Sequence, residues 1–402
     1  MSSHTKVIIA GCGIAGPVLA VYLKNLGYAP IVYERLDGLT TSGVSLCLQP
    51  NGLHVLSKLT GLVESLEGGP VARLLYHSAL PEDEGLLSET DLPTKLKKTY
   101  GFGMLGVERA TFHRQLVEYA EKQGVQIVWG HQVVGVEQDD DSVTVKFHNG
   151  KTDTGSFLAG CDGLHSNTRI SLFGKEEATF TGLVQVGGLS PTPTTGNFDH
   201  HALINVYGNG KHFITYPVNE TQNSWAATLQ EPEAKESWKH IEHDAQEKFK
   251  NNSDFSSWGA GVGELVHHAE RVTKYGLYDR PELQQWHMGR VVLLGDAAHP
   301  TSPHIGQGAN QAFEDIALLT SLLQKHNPDA KSPPTDILTT IFTEYERTRI
   351  PRTAALVEEA RKQGELRVVS GVAACKERND SYREIHRQEE TIMKRYAGLA
   401  LS

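Results

Sequence analysis

Two short segments, far apart in the chain, carry residues suited to holding a phosphorylated ligand. Gly11-Cys12-Gly13-Ile14-Ala15-Gly16 follows the apolar run Val7-Ile8-Ile9-Ala10, and Glu34 with Arg35 closes a second apolar run, Ile31-Val32-Tyr33. Glycines there let the chain bend tightly and bring backbone N–H groups to a pyrophosphate at a helix N-terminus, while Glu34 is placed to accept hydrogen bonds from a ribose diol. Gly295-Asp296-Ala297-Ala298-His299-Pro300 follows Val291-Val292-Leu293-Leu294 and continues into Gly306-Gln307-Gly308-Ala309-Asn310. Here again a strand runs into a glycine turn and then a helix start, a second place for one end of a long ligand. Two strand–turn–helix units point to one long dinucleotide lying across a parallel sheet, with FAD as the cofactor that fits.

A bare G-x-G-x-x-G is a weak signal, and Gly101-Phe102-Gly103-Met104-Leu105-Gly106 matches it too. That copy follows the charged Lys95-Leu96-Lys97-Lys98 rather than an apolar strand, and no acid-ended strand comes after it. It is read as a false match. Cys12 is read as a small residue in the loop.

The elements that must position these residues follow from periodicity. Residues 6–35 read as strand, glycine turn, helix and strand, the helix stopping at Gly27. Residues 80–98, acidic then basic, read as a loop or excursion whose charges are a solvated surface rather than a binding site. Arg109 to Lys122 has helical apolar spacing, with a stop at Gly124. Residues 125–160 alternate as a β-meander with turns at Asp139-Asp140-Asp141 and Asn149-Gly150. From about residue 180, strands at Ala202–Tyr207, His212–Val218 and Ser224–Leu229 indicate an antiparallel second domain, and residues 335–400 read as charged surface helices. The expected fold is α/β: a Rossmann-type FAD-binding domain with a β-meander (1–75, 101–178 and 275–365), an antiparallel-sheet substrate domain (76–100 and 179–274) and a C-terminal helical segment (366–402).

Composition narrows the class. The 402 residues carry a formal charge of -10, which disfavours a nucleic-acid partner. Four dispersed cysteines suit neither a metal site nor a disulfide framework, so no metal and a reducing, cytoplasmic setting are expected. The uncharged stretch Val7–Leu23 is interrupted by three glycines and Pro17, and no membrane span is expected. A monomer or homodimer is expected, with no further partner domain.

The motifs, taken in order, resemble the single-component FAD-dependent aromatic hydroxylases, the group that includes p-hydroxybenzoate hydroxylase and salicylate hydroxylase. The likeness covers about residues 5–355. It rests on the first glycine loop with Glu34-Arg35; on Arg109 followed by Phe112 and Leu116; on Cys161-Asp162-Gly163-Leu164-His165-Ser166 with Arg169; and on the 295–310 segment with Glu314-Asp315. The resemblance implies that Arg109 reaches the FAD phosphates, that Asp162 serves FAD and NAD(P)H, that Val133 lies on the cofactor, and that Pro303 sits beside the oxygen-reacting face. NADPH or NADH then binds transiently as co-substrate, without its own domain. Tyr345-Glu346-Arg347 with Arg349, Pro351 and Arg352 is read as packing and ion pairing, and His299 as structural.

On the substrate side, His212, Ile214 and Tyr216 share one face of a strand. With His304 after Pro303, the trio His212, Tyr216 and His304 resembles the pocket of the decarboxylating members of the family. A histidine base there would remove a phenol proton while a flavin C4a-hydroperoxide attacks the ring, with O2 as oxidant. The alternatives stay open: with 19 histidines, one near any site is expected by count, His212 facing solvent or Tyr216 in the core. No arginine stands out for a substrate carboxylate. The activity implied is hydroxylation of a phenolic or heteroaromatic small molecule, with or without decarboxylation. Epoxidation or rearrangement by the same chemistry is the near rival. An NAD-dependent dehydrogenase is the distant one, and it leaves residues 295–310 without a purpose.

Overall fold

The computed structural model describes residues 5–194, 196, 198–232, 239–240, 243–384, 389 and 393. Its centre is a six-stranded sheet in the order His287–Met288, Val291–Leu293, Phe157–Gly160, Lys6–Ala10, Ala29–Tyr33, Gln126–Val128. All neighbours are parallel except the edge strand His287–Met288. Continuous apolar runs such as Val7–Ala10 form these strands because both faces are covered. Val7 and Ile9 join Val18, Leu19, Phe157, Leu293, Phe313 and Phe342 on one side. Ile8 and Ala10 meet Val143, Val145 and Phe147 of the three-stranded meander on the other. Each such side chain contributes about 1.5–3 kcal/mol by leaving water.

The second large sheet has eight strands in the order Lys239–His240, Arg271–Asp279, Thr179–Pro191, Gln222–Gln230, Lys211–Pro217, Ala202–Tyr207, Arg73–Ser78, Gly85–Thr90. It is antiparallel save for one parallel pair, Ala202–Tyr207 with Arg73–Ser78. One face packs Val186, Phe213, Trp225 and Ala227 against the helix Val262–His267. The other turns toward the parallel sheet and the C-terminal helices.

Two expectations are corrected. Residues 80–98 are not a loop: Gly85–Thr90 is the edge strand of the large sheet, and Leu92–Tyr100 is a helix that buries Leu92, Pro93 and Leu96. The charges of Lys95, Lys97 and Lys98 mask its narrow apolar stripe. Nor is Thr335–Arg367 a surface helix. Leu338, Ile341, Phe342, Tyr345, Arg349, Thr353, Val357, Ala360, Gly364 and Arg367 are buried along it, all but the adjacent Ile341 and Phe342 spaced three or four apart. Polar members of that stripe hide it from a hydrophobic count. Of the expected helical tail, 366–402, Val372–Arg383 is a helix, and beyond Glu384 only residues 389 and 393 are described. No described helix is long and apolar enough to cross a membrane.

Candidate functional site

Three adjacent parallel strands, Val291–Leu293, Phe157–Gly160 and Lys6–Ala10, deliver their C-terminal loops to one edge of the sheet. Ligands of open parallel sheets bind in the crevice outside such strand ends. The loops are the three glycine-containing motifs that the sequence singles out.

In the first loop, the glycines divide the work. Gly11 has φ +99°, and a Cβ on it would lie 2.4 Å from the Cys161 carbonyl oxygen. A Cβ on Gly16 would lie 2.0 Å from the Gly11 oxygen, so loop and helix can close only without side chains. A Cβ on Gly13 would meet nothing within 4 Å: its open side is where a pyrophosphate could lie against the backbone. Ile14 caps the helix Ala15–Asn25. Cys12 is buried, and burial together with the Glu34 charge pushes its thiol well above its ordinary value, which makes it inert. Behind the loop, buried His113 meets the Cys12 carbonyl at 2.5 Å.

Glu34 closes the second strand. Its carboxylate accepts from the Cys12 amide at 2.7 Å and the Leu36 amide at 3.0 Å, which ties it to the glycine loop. Around it opens a cleft lined by Gly11, Tyr33, Glu34, Arg35, His131, Gln132, Val133, Asp162, His165 and Asn167. Its walls are part polar and part apolar. His131 and Gln132 escaped the sequence reading. Their only signal was standing next to Val133, whose carbonyl accepts from Asn167 Nδ2 at 2.8 Å. Asp162 accepts from Ser166 Oγ and from the amide and hydroxyl of Thr168, so it shapes its own loop.

Arg169 joins the second and third loops, donating to Leu164 O at 2.8 Å, Ala297 O at 3.3 Å and Asp296 O at 3.4 Å. Asp296 itself is open to water yet walled in by protein. That enclosure raises its carboxyl above the ordinary range, against the pull of His299, Arg109 and Arg169. An accessible carboxylate walled in by protein has the chemistry to accept hydrogen bonds from a polyol. Arg109 reaches the same channel from the start of the helix Arg109–Lys122. It donates to Ser42 O at 2.9 Å and passes so close to Gly43 that a Cβ there would meet its Cδ at 2.5 Å.

Beneath Asp296 lies a buried ionic core. Asp315 accepts from the Gly295 amide (2.8 Å), His299 Nε2 (2.6 Å) and Arg349 Nε (2.7 Å). Arg349 also reaches Glu314 at 2.5 Å, and Arg352 chelates Glu314 at 2.6 and 2.9 Å. His299 thus sets the turn, as expected, and the 345–352 stretch pairs ions. Gly306, φ +64°, leads into the helix Gly308–His326, whose first amides at Gly308, Ala309 and Asn310 face no intrahelical acceptor. A Cβ on Gly308 would lie 3.8 Å from Asp296 Oδ1. Asn310 fixes this start, accepting from the Gln49 amide (2.9 Å) and donating to Gly306 O (2.8 Å).

Opposite stands the inner face of the large sheet. Strand register puts Tyr275, Gln185, Thr228, His212 and Tyr207 in one row across five strands. Ile214 and Tyr216 follow on the same face. Tyr216 and Tyr275 are half-buried but enclosed, so they border an internal chamber. Tyr216 Oη lies 2.7 Å from Ser45 Oγ, which lies 2.5 Å from Ser224 Oγ. Burial pushes the Tyr216 phenol well up, so it stays protonated.

The two histidines depart from expectation. His212 is sealed, at 0% exposure. Its Nε2 is 3.1 Å from Asn205 Oδ1, and its Nδ1 has no partner. His304 turns its ring to the helix Thr335–Arg367, where Nδ1 lies 3.2 Å from Arg367 Nη1, and Arg367 Nη2 donates to the His304 carbonyl at 2.8 Å. Since arginine only donates, His304 Nδ1 is the acceptor and Nε2 carries the proton. Burial, then Arg367, holds both histidines well below their ordinary values. His304 therefore has no free basic nitrogen, and the one His212 keeps, Nδ1, is sealed from water. Pro303 is exposed beside the channel.

The model of a family described as FAD binding domain matches residues 4–360. The chain is 31% identical to 3-amino-4-hydroxybenzoate 2-monooxygenase of Streptomyces cremeus, over 94% of this chain and 91% of that one. It is 29% identical to 6-hydroxynicotinate 3-monooxygenase of Pseudomonas fluorescens, over 81% of this chain and 84% of that one. The structure of Klebsiella pneumoniae HpxO complexed with FAD and uric acid superposes with a TM-score of 0.83 at 26% identity, over 98% of this chain and 97% of that one.

Proposed function

The chain belongs to the FAD binding domain family, and from that premise we propose that it hydroxylates a phenolic or heteroaromatic small molecule held between Asp296 and the Tyr216 face of the large sheet. It is an FAD-dependent monooxygenase that uses NAD(P)H and O2. Bound FAD, once reduced by NAD(P)H, supplies the electrons that activate oxygen for insertion into the ring. The observation that carries the reading is Asp296: accessible, enclosed, and within the field of Arg109 and Arg169.

The residues divide the cofactor between them. Glu34 and the cleft toward Val133 suit the adenosine, while the open backbone at Gly13 and the Arg109 guanidinium suit the pyrophosphate. Asp296 suits the ribityl chain, and the free amides of 308–310 suit the electron-rich end of the ring. Asp162 holds the loop between them.

On the substrate side, Tyr216 is the expected catalytic residue that keeps a chamber-facing hydroxyl, so we assign it the contact to the substrate oxygen. His212 and His304 act from behind, as neutral packing and positioning groups. Enclosure of the chamber keeps water from diverting the oxygen. Four free, buried cysteines support a reducing cytoplasmic setting, and a monomer or homodimer suffices for the site.

The test is direct. Purified protein should be yellow, release one FAD per chain, and oxidise NAD(P)H with O2 uptake when given hydroxybenzoates or hydroxypyridines. Asp296→Ala should lose flavin on dialysis. A colourless wild-type protein that binds NAD would instead support a dehydrogenase.

A further inference from the structure

Arg367 is a buried cation with no carboxylate on it among the described residues. Only 6% of its surface is exposed, and its partners are the ring nitrogen and main-chain oxygen of His304. A guanidinium has five N–H donors, so three remain unclaimed. Burying a charge is costly unless its donors are met: Arg349 is paired here with Asp315 and Glu314, and buried Arg290 donates to oxygens of Ser156, Asp140, Thr335 and Pro333. The other buried arginine of this layer, Arg378, is engaged: it donates to Gly208 O and Asn379 Oδ1 and lies over the Tyr207 ring.

The surroundings of Arg367 are polar and incomplete. His304 Nε2, His212 Nδ1 and Thr228 Oγ1 are each buried without a hydrogen-bond partner. Thr228 and His212 are neighbours in the polar row that Tyr275 begins. Arg367 holds His304 on the Pro303–Ile305 turn, and that turn leads to Gly308, where a Cβ would lie 3.8 Å from Asp296 Oδ1, so the cation stands behind the turn that borders Asp296.

We infer that Arg367 is the anchor for a carboxylate carried by the aromatic substrate. The inference rests on the monooxygenase reading above and narrows its substrate class to ring carboxylates. The planar fork of arginine matches a carboxylate through two parallel hydrogen bonds, and its charge persists at every working pH. The neighbouring histidines, kept neutral, add no second fixed charge, so a monoanion is selected. With the carboxylate at Arg367, the ring lies along the sheet face with its other end toward Asp296 and Tyr216.

The experiment uses FAD-loaded enzyme and follows the flavin absorbance change on titration. Probes are 3- and 4-hydroxybenzoate, the matching hydroxybenzamides and phenol. Wild type should bind at least one hydroxybenzoate about tenfold or more tighter than its amide. Arg367→Gln should weaken hydroxybenzoate at least tenfold and leave the amide within about twofold, and Arg367→Lys should recover part of the loss. Equal wild-type affinity for acid and amide would overturn the proposal even if no variant folds, as would unchanged hydroxybenzoate binding in a folded, flavin-loaded Arg367→Gln. A yellow enzyme stimulated by phenol or amide but indifferent to the carboxylate sinks the anchor and spares the monooxygenase. A protein without flavin sinks the monooxygenase reading itself.

Discussion

The ring of His304 occupies the space where a side chain on Gly364 would begin: a Cβ there would stand 2.7 Å from Cδ2 and 2.8 Å from Nε2. One turn later Arg367 binds the same histidine. The end of the long helix is thus keyed to the Pro303–Ile305 turn beside the cofactor channel.

Gly364→Ala should therefore act against helix propensity. In an exposed helix interior alanine would gain about 1 kcal/mol over glycine. Here overpacking should cost about 1–3 kcal/mol instead, and the displaced His304 should loosen the chamber. Thermal melts and the ratio of product formed to NAD(P)H consumed check this. A melting temperature that rises, with coupling unchanged, would show that the helix does not press on His304.

The first loop makes a sharper separation. Gly16→Ala meets backbone oxygen and should prevent the loop from closing, so little folded protein should accumulate. Gly13→Ala meets no protein atom and should leave the apoprotein's unfolding free energy within about 0.5 kcal/mol. Its methyl would stand where the pyrophosphate should approach, so FAD affinity should drop at least tenfold. Normal FAD binding by Gly13→Ala would move the phosphates elsewhere.

Much of this was legible in the chain because the cofactor side is built from local signals. A glycine turn after an apolar run reports its own geometry, and Glu34, Asp296 and the Gly306–Asn310 start sit at strand and helix ends that the same runs define. The false match at Gly101–Gly106 was separable for the same reason. Gly101 ends a helix with φ +84°, and Gly106 lies on a strand pressed against Pro217. The substrate side was less legible. Alternation put His212, Ile214 and Tyr216 on one face, as the sheet register has them. It could not say which of the three the next layer would seal, since that layer is a helix more than 120 residues on. Arg367 looked like one more solvated charge because its burial is created by Gly364 and His304, not by its neighbours in sequence.

Acid should unfold the protein in two stages. His212 and His304 are held neutral, their values lowered by burial and then by Arg367, whereas in the unfolded chain they charge near 6.5. Below that pH the unfolded state binds more protons, so each should remove about 1.4 kcal/mol of stability per pH unit. Asp315 is the opposite kind of group. Burial would raise it, but His299 and Arg349 outweigh burial and hold it below the usual carboxylate range. Its stabilisation is present above about pH 4 and is lost only as pH falls through the lowered value. Chemical denaturation from pH 7 to 4 should show the first slope, to which His54, His77 and His113 also contribute, and His212→Gln should flatten it by about 1.4 kcal/mol per pH unit. An unchanged slope would place the sensitive histidines elsewhere.

Tyr216→Phe tests the catalytic assignment against the one first expected. The hydroxyl is protonated, linked to Ser45 and Ser224, and borders the chamber. Its loss should remove about 0.5–1.5 kcal/mol of substrate interaction, roughly a two- to tenfold rise in KM or a similar fall in coupling, with flavin reduction by NAD(P)H unaltered. His304→Ala should behave differently. Nδ1 is taken by Arg367 and Nε2 carries the proton, so no base is lost. The variant should instead free Arg367 and change substrate affinity more than the rate of oxygen transfer. Rapid-mixing measurements of the reductive and oxidative half-reactions resolve the two. If His304→Ala slows oxygen transfer and leaves affinity intact, while Tyr216→Phe changes nothing, the roles are reversed: the histidine must then swing from the helix into the chamber during turnover.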